Sequence, residues 1–532
     1  MYRLLRQVLV VSTMVPALGL TTALGQTPDS PRYLTIDDGF QIQRVRDPQF
    51  SPEGEWIAYT VTQTDLKEEK SETAVWMIPA EGGEPIRMTG KGSSASRPRW
   101  SPDGKYLSFQ ASRGEGKTQV WGLNRKGGEA QQLTDVKQGI GSYEWSPDGK
   151  RLVLVVKDPE PGEEEDKSDE KKDKPKPHVI DRLQFKRDYS GYLDRRRNHL
   201  YVFDLDDRKL RQITSGDYDD SQPEWSPDGK SIVFVSNRTQ EPDGNDNSDL
   251  WLVSADNSDQ GKTLLQLTKN PGSDSQPAWS PDGKWVCYVT VVRPEILWYA
   301  TSHLAMVPSG GGESRLLNET LDRNVSAPEF APDGKIYFLL EDSAERHLAR
   351  VNADGTGLER PVAGPMRTSS YSLGPNSEVA VLVSRPDLPG EIFRKREGRL
   401  DQISHVNDEL MSKLRLATVE NVQFPSKDGT QIEGFIFKPP DFNDKLTYPT
   451  LLRIHGGPVS QYDFGFNFEA QLFAANGYVV VLTNPRGSSG YGEEFSLGIY
   501  RSWGRKDFED VMAGVDYAIQ QGYADPDRLG VG

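Results

Sequence analysis

Over roughly the first 400 residues, apolar and polar positions alternate in short runs, each opened by one recurring phrase. The phrase stands as Phe50-Ser-Pro-Glu-Gly54, Trp100-Ser-Pro-Asp-Gly104, Trp145-Ser-Pro-Asp-Gly149, Trp225-Ser-Pro-Asp-Gly229, Trp279-Ser-Pro-Asp-Gly283 and Phe330-Ala-Pro-Asp-Gly334, with a degraded copy at Leu373-Gly-Pro-Asn-Ser377. Proline fixes φ, Asp bonds its own backbone and Gly accepts φ > 0, so the phrase predicts a tight turn. The aromatic before it should end one strand and pack inward. Alternating runs after it, such as Lys105-Tyr-Leu-Ser-Phe109 and Ser231-Ile-Val-Phe-Val235, predict the next strand. A third strand follows in many copies (Asp249-Leu-Trp-Leu-Val253), and a fourth region ends in Leu-Thr (Gln132-Leu-Thr134, Gln266-Leu-Thr268). Four short strands recurring at a period of ~40–50 residues predict propeller blades. Seven copies predict an all-β, seven-bladed propeller over residues 36–407.

The pattern changes past Asn407. Val419 to Lys438 reads as two strands around the turn Ser426-Lys-Asp-Gly429. A buried strand Thr450–Ile454, a helix Phe468–Asn476, a strand Tyr478–Leu482, a helix from about Lys506 to Gln521 and a last strand from Arg528 follow in alternation. Alternating strand and helix predicts a doubly wound α/β sheet over 408–532.

The formal net charge of −16 argues against nucleic-acid binding, which needs clustered Lys and Arg. The single cysteine, Cys287, sits in the apolar run Trp285–Val289 and reads as a small buried hydrophobe. At the start, Arg3 and Arg6, an apolar run from Val8 to Leu20 and Ala23-Leu-Gly25 predict a cleaved signal peptide over 1–25. That places the mature protein in a secreted or periplasmic setting, without stable membrane insertion. Asp158 to Pro177 is rich in Glu, Lys, Asp and Pro and predicts a solvated loop. Beyond it, Arg195, Arg196 and Arg197 stand near Tyr189 and Tyr192. They read as surface ion pairs, the alternative being capture of a substrate carboxylate. His178, His199, His303, His347 and His405 lack metal-ligand spacing, so neither a metal nor a cofactor is expected.

His455-Gly-Gly-Pro458 after a buried strand, then Asn484-Pro-Arg-Gly-Ser-Ser-Gly-Tyr-Gly492, Trp503-Gly504 and Asp507-Phe-Glu-Asp510, resemble the catalytic domain of the prolyl oligopeptidase family. The acylaminoacyl and secreted dipeptidyl peptidase branch is the most similar, and the preceding propeller fits it. The resemblance implies a serine peptidase acting on short peptides. In this fold the loop after the third strand donates a backbone N–H to the oxyanion. It falls on His455, Gly456, Gly457 and Pro458, with the Gly457 N–H as donor. His455 comes too early in the chain for the triad base and is expected to brace the loop. Arg486 and Tyr491 are expected to brace the Gly-rich loop, with substrate contact as the alternative. Asp507 and Asp510 are not expected to be the triad acid. The Gly-x-Ser-x-Gly elbow is expected after Arg528-Leu-Gly-Val-Gly532, which puts Ser, Asp and His beyond Gly532, leaves an incomplete α/β-hydrolase domain and makes this stretch inactive by itself. Competing readings are an extracytoplasmic propeller binding protein or pseudoenzyme, and an esterase. Homo-oligomerisation stays open.

Overall fold

A computed structural model describes residues 30–114, 116–159 and 179–532. The expected signal peptide, His178 and most of the acidic segment lie outside the described residues. Among the described residues no helix is long and apolar enough to cross a membrane.

The recurring phrase does form a turn between antiparallel strands. In Ser101-Pro-Asp-Gly104, the Ser101 hydroxyl donates to Asp103 Oδ1 (2.6 Å) and accepts from Tyr106 N (2.9 Å), while Asp103 Oδ1 also accepts from Lys105 N (3.0 Å). Gly104 takes φ 65°, and glycines at the same place in other copies take 68–79°. The strands assemble into five consecutive four-stranded antiparallel sheets, spanning residues 44–87, 95–132, 142–212, 220–266 and 274–316. An eight-stranded sheet over 325–402 follows; its two halves are joined at the single parallel bridge Arg346–Arg367.

The first strands of these sheets converge on a channel. Gln49, Arg99, Glu144, Glu224, Ala278, Glu329 and Tyr371 all line one cavity of about 620 Å³. In five first strands a proline stands two residues before the aromatic, and the residue before it has left-handed φ: Asp47, Arg97, Gln222, Gln276 and Ala327. The pairing register shifts at each of these places. Proline has no N–H for the ladder, so the strand bulges there and re-aims the next side chain.

The terminal aromatic packs inward as expected, and it does so at the seam with the preceding sheet: Phe50, Trp100 and Trp225 are buried in the apolar clusters there. Trp100, Trp225 and Trp279 donate their indole N–H groups to the carbonyls of Gln49, Glu144 and Glu224, and Trp145 donates to the Ser108 hydroxyl. An indole N–H in a seam needs an acceptor, and the neighbouring strand supplies it. Apolar side chains of adjacent sheets fill the rest, as where Val153, Val155, Leu200 and Val202 meet Ile232, Phe234 and Val253. The last sheet closes on the first: Ile57, Tyr59 and Ile78 share a core with Ala380, Leu382 and Ile392, and Phe50 N donates to the Ser372 hydroxyl (3.0 Å).

The Leu-Thr signature has its own task. Thr134, fully buried, accepts from Val120 N (2.9 Å) and donates to Gln119 Oε1 (2.8 Å). Thr89, Thr214, Thr268, Asn318 and Ser404 accept the equivalent N–H in their own sheets. The hydroxyl therefore pins the outermost region to the third strand.

In the second region, strands β1 (Thr418–Pro425) and β2 (Gln431–Lys438) form an antiparallel hairpin. Strands β3 (Tyr448–Arg453), β4 (Val479–Asn484) and β5 (Ala524–Val531) run parallel, in the order β1-β2-β4-β3-β5. Helix α1 (Phe468–Ala475) covers one face through Ala470 and Ala474, and α3 (Lys506–Gln520) covers the other through Val511, Val515 and Ala518. A short helix, α2 (Glu493–Leu497), interrupts the β4–α3 connection.

Two tests follow from this architecture. Thr134→Val leaves the Val120 N–H unsatisfied in the interior, while Gln119 Oε1 still accepts from Val136 N, so a loss of about 1–3 kcal/mol is expected in denaturant unfolding, with Thr134→Ser close to wild type. In the channel, the surrounding protein pushes the Glu224 carboxyl up to about 8, helped by Glu144, and Glu329 up to about 7 against the pull of Arg99, although both side chains keep exposed surface. A raised carboxyl pKa stabilises the fold below the ordinary value of 4.5, and that stability is lost as pH rises through the folded value. The melting midpoint should therefore fall between pH 5 and 9, and Glu224→Gln should flatten that fall.

Candidate active site

Because β3, β4 and β5 are parallel, their carboxyl ends share one edge of the sheet, where ligands of open α/β sheets bind. The loop His455–Pro458 leaves β3 at this edge. Gly456 and Gly457 are exposed. Gly457 has φ 138°, and a Cβ there would stand 2.8 Å from Val459 N, so only glycine fits. Its N–H meets no acceptor among the described residues.

His455 sits behind this loop. The Ser488 hydroxyl donates to Pro485 O (2.6 Å), so His455 Nε2–H donates to Ser488 Oγ (3.0 Å). Its ring meets Tyr462 edge-on at 5.3 Å. Burial lowers its pKa, with the Gly456 carbonyl opposing, which keeps the ring neutral.

The Gly-rich loop after β4 is tied down by two networks. Asn484, buried, accepts from Tyr462 N (2.7 Å) and donates to Tyr462 O (2.9 Å) and Tyr491 Oη (2.8 Å). Tyr491 in turn donates to Glu433 Oε2 (2.7 Å). Burial and the Glu433 carboxylate both push the Tyr491 phenol up. Arg486 donates to both Asp510 oxygens (2.9 and 2.6 Å) and to Asp428 (2.5 Å), and its N–H also reaches Asp510. Asp510 is fully buried and additionally accepts from the Ser426 hydroxyl. The bond to Asp510 raises the Arg486 pKa most, and Arg486 holds Asp428 well below the carboxylate range. Asp507, in the first turn of α3, accepts from Gly504 N and Arg505 N and so fixes the turn that leads into the helix. The sequence named Asn484 and Ser488 only as part of the Gly-rich run, without partners; Glu433 and Tyr462, which anchor that loop from elsewhere in the chain, were not foreseen.

The turns at one end of the propeller rest on this edge. Ser343 N donates to Gly490 O, Ala344 N to Gln461 Oε1, Phe466 N to the Ser384 hydroxyl and Glu493 N to Asp322 Oδ1. The segment Pro294–Tyr299 adds Ile296 and Tyr299 to a core with Ile499, Val459, Leu497 and Tyr500. Trp503 Nε1 donates to Tyr299 Oη (2.6 Å).

Residues elsewhere fall into structural places. Cys287 is fully buried and burial pushes its thiol up. Arg195 pairs with Asp181, Arg196 with Asp194, and Arg197 with Asp217 and Asp219.

The prolyl oligopeptidase family model matches residues 464–532, and the TolB beta propeller domain model matches residues 41–170. The uncharacterized peptidase YuxL of Bacillus subtilis is 29% identical over 94% of this chain and 78% of its own length. Dipeptidyl-peptidase 5 of Porphyromonas gingivalis is 27% identical over 98% of this chain and 76% of its own length. Acylaminoacyl peptidase of Pyrococcus horikoshii shares the fold with a TM-score of 0.78 at 23% identity, over 94% of this chain and 74% of that one. With the propeller set against a glycine loop at the carboxyl edge of an α/β sheet, these matches make the chain similar to known peptidases over nearly its whole length, with a prolyl oligopeptidase family segment at residues 464–532.

Proposed function

We propose that this chain carries the gate and half of the oxyanion hole of a serine peptidase acting on short peptides. The observation that carries this reading is the exposed, unpaired Gly457 N–H at the carboxyl edge of the sheet, beneath the propeller. A Ser attacks the peptide carbonyl, a His moves the proton, and an Asp orients the His. We place these three in sequence that follows Gly532 in the full enzyme. Gly457 donates to the carbonyl oxygen as it gains charge; a donor of this kind supplies about 2.7–4 kcal/mol of transition-state stabilisation. The eight-stranded sheet counts as two blades, which makes the propeller seven-bladed over 36–407, and the catalytic domain begins at 408. The channel and the docked turns then limit entry to short peptides. A signal peptide over 1–25 would deliver the enzyme to a secreted or periplasmic setting.

His455 acts as a positioning residue: its bond to Ser488 ties the oxyanion loop to the Gly-rich loop. Arg486 and Tyr491 brace that second loop, since their polar atoms are already engaged by Asp510, Asp428 and Glu433. The removal of dipeptides is favoured over other exopeptidase activities by the match to dipeptidyl-peptidase 5 along nearly the whole chain.

The test uses the full enzyme, with the chain continued through a Gly-x-Ser-x-Gly elbow, and compares dipeptidyl, acyl-aminoacyl and ester substrates. Cleavage of short peptides that a serine-directed inhibitor abolishes is expected, while residues 1–532 alone are expected to be inactive; peptide cleavage insensitive to such inhibitors would refute the reading. Gly457→Ala should lower kcat about 10²–10³-fold with KM little changed. His455→Asn should reduce kcat far less than loss of a triad base does and should leave the pH profile of kcat in place. Arg486→Met strands the buried Asp510 charge, so a loss of about 3–5 kcal/mol in unfolding free energy is expected.

A further inference from the structure

The repeat sets up an internal comparison between two neighbouring seams of the propeller. Residues Asp220-Ser-Gln-Pro-Glu-Trp225 and Asp274-Ser-Gln-Pro-Ala-Trp279 open consecutive sheets with nearly the same sequence. Both aspartates are fully buried at the start of the first strand. Asp220 has two partners: Arg238 donates to it at 2.8 Å, and His199 lies 3.4 Å away. His199 belongs to the preceding sheet, where it stands just before the N–H held by the Thr214 hydroxyl.

At the next seam both partners are replaced. The residue before the N–H held by Thr268 is Asp249, not His. Counted from the shared Ser-Pro-Asp-Gly-Lys phrase, the place of Arg238 falls to Val292. Asp249 accepts from Gln266 Nε2 (2.9 Å) and weakly from Thr268 Oγ1 (3.3 Å). Asp274 accepts from nothing: both carboxylate oxygens are buried without a hydrogen-bond partner. The hydroxyls of Thr268 and Thr290 and the Asn270 side chain stand close enough to favour its charge, but none is aligned to bond it. The Asn270 amide N–H groups are spent on Gly272 O, Thr290 Oγ1 and Val291 O. Lys269 is exposed and forms no ion pair with either aspartate among the described residues. Burial raises both carboxyls to about 6, and Asp249 raises Asp274 further. Two carboxyls therefore share a buried seam in which no side chain takes the places of Arg238 and His199; the exposed Lys269 favours the charged form of Asp249 without pairing with it.

We propose that Asp249 and Asp274 hold a hard divalent cation, with Thr268 Oγ1, Thr290 Oγ1 and the Asn270 carbonyl oxygen completing an all-oxygen donor set. No group of three His, Cys, Asp or Glu side chains forms a metal site among the described residues, so this one depends on neutral oxygens. An irregular set of carboxylate, hydroxyl and carbonyl oxygens suits calcium, which accepts variable geometry, better than magnesium, which demands an octahedron. A cavity of about 610 Å³ lined by Gln266, Thr268, Asn270, Thr290 and Val292 gives the ion and its waters a route in. The site also lies at the root of a contact with the catalytic domain. Val291 and Val292 lead into Arg293, which pairs with Glu493, and on to Tyr299, which meets Tyr500 and Trp503. The bound ion would fix where that segment leaves the sheet.

Thermal unfolding of the chain at pH 8 decides the matter, in millimolar calcium chloride, magnesium chloride or a chelator, alongside calorimetric titration with calcium alone. Calcium should raise the melting midpoint by several degrees over chelator and bind one to one, with magnesium weaker. Asp274→Asn should lose that rise, and Asp220→Asn should keep it. Val292→Arg restores the arginine of the neighbouring seam and should make the midpoint independent of calcium. Equal midpoints in calcium and chelator, with no heat of binding, would overturn the proposal even if Asp274→Asn failed to fold. In that case Asp274→Asn or Val292→Arg raising the midpoint at pH 8 would assign a shared proton to the pair.

Discussion

A four-stranded blade has two apolar faces and can cover neither by itself, so each must be sealed by its neighbours. The seal here is partly polar. The indole N–H of one first strand donates to a carbonyl of the first strand before it, at Trp100, Trp225 and Trp279. That bond sets how far apart adjacent blades sit near the axis. The apolar clusters between blades then fill the wider space outside, and the ring closes where Phe50 bonds Ser372.

Sealing a blade from both sides leaves its polar groups without water, and they must be satisfied in place. The Thr hydroxyls of the Leu-Thr signature do this for one N–H per sheet. The residue before that N–H varies among Ala74, Gln119, His199, Asp249, His303 and Glu391, and each seam solves its charge separately. Glu391 accepts from Ser404 and Asn407, and Asp220 pairs with Arg238. On the channel side, the proline bulges turn Arg99, Glu224 and Glu329 toward the axis, where they line one cavity, and the protein around Glu224 and Glu329 raises both carboxyls although each keeps exposed surface.

Local chemistry was legible in the sequence wherever a residue's partner is near in the chain. Ser101, Asp103 and Gly104 make the turn their order announces, and the parallel strands and covering helices fall within a few residues of where periodicity puts them. That the aromatic is buried was legible, but its partner was not: a carbonyl about one repeat earlier is fixed by blade spacing, which no local pattern records. The same holds for the site. His455-Gly-Gly-Pro458 is conspicuous as a string, yet Ser488, Asn484 and Glu433 gain meaning only once β2 lies beside β4. Arg486 and Asp510 are 24 positions apart and meet because α3 turns back across the sheet.

In the role proposed for it, Gly457 must be rigid and yet keep its own N–H unspent, which are conflicting demands on a loop of two glycines. The loop resolves this by taking its restraints from its neighbours. His455 is held through Ser488, Ser489 N donates to Ser460 O, and Tyr462 is gripped at both its N–H and its carbonyl by Asn484. From the other side, Ala344 of the propeller donates to Gln461 and accepts from Phe464 N. Every one of these bonds lies next to Gly457 in the chain and none uses it. The propeller is thus more than a cover over the site: its turns supply part of the frame that lets a glycine N–H stay in position and unpaired, which is what stabilising a developing charge requires.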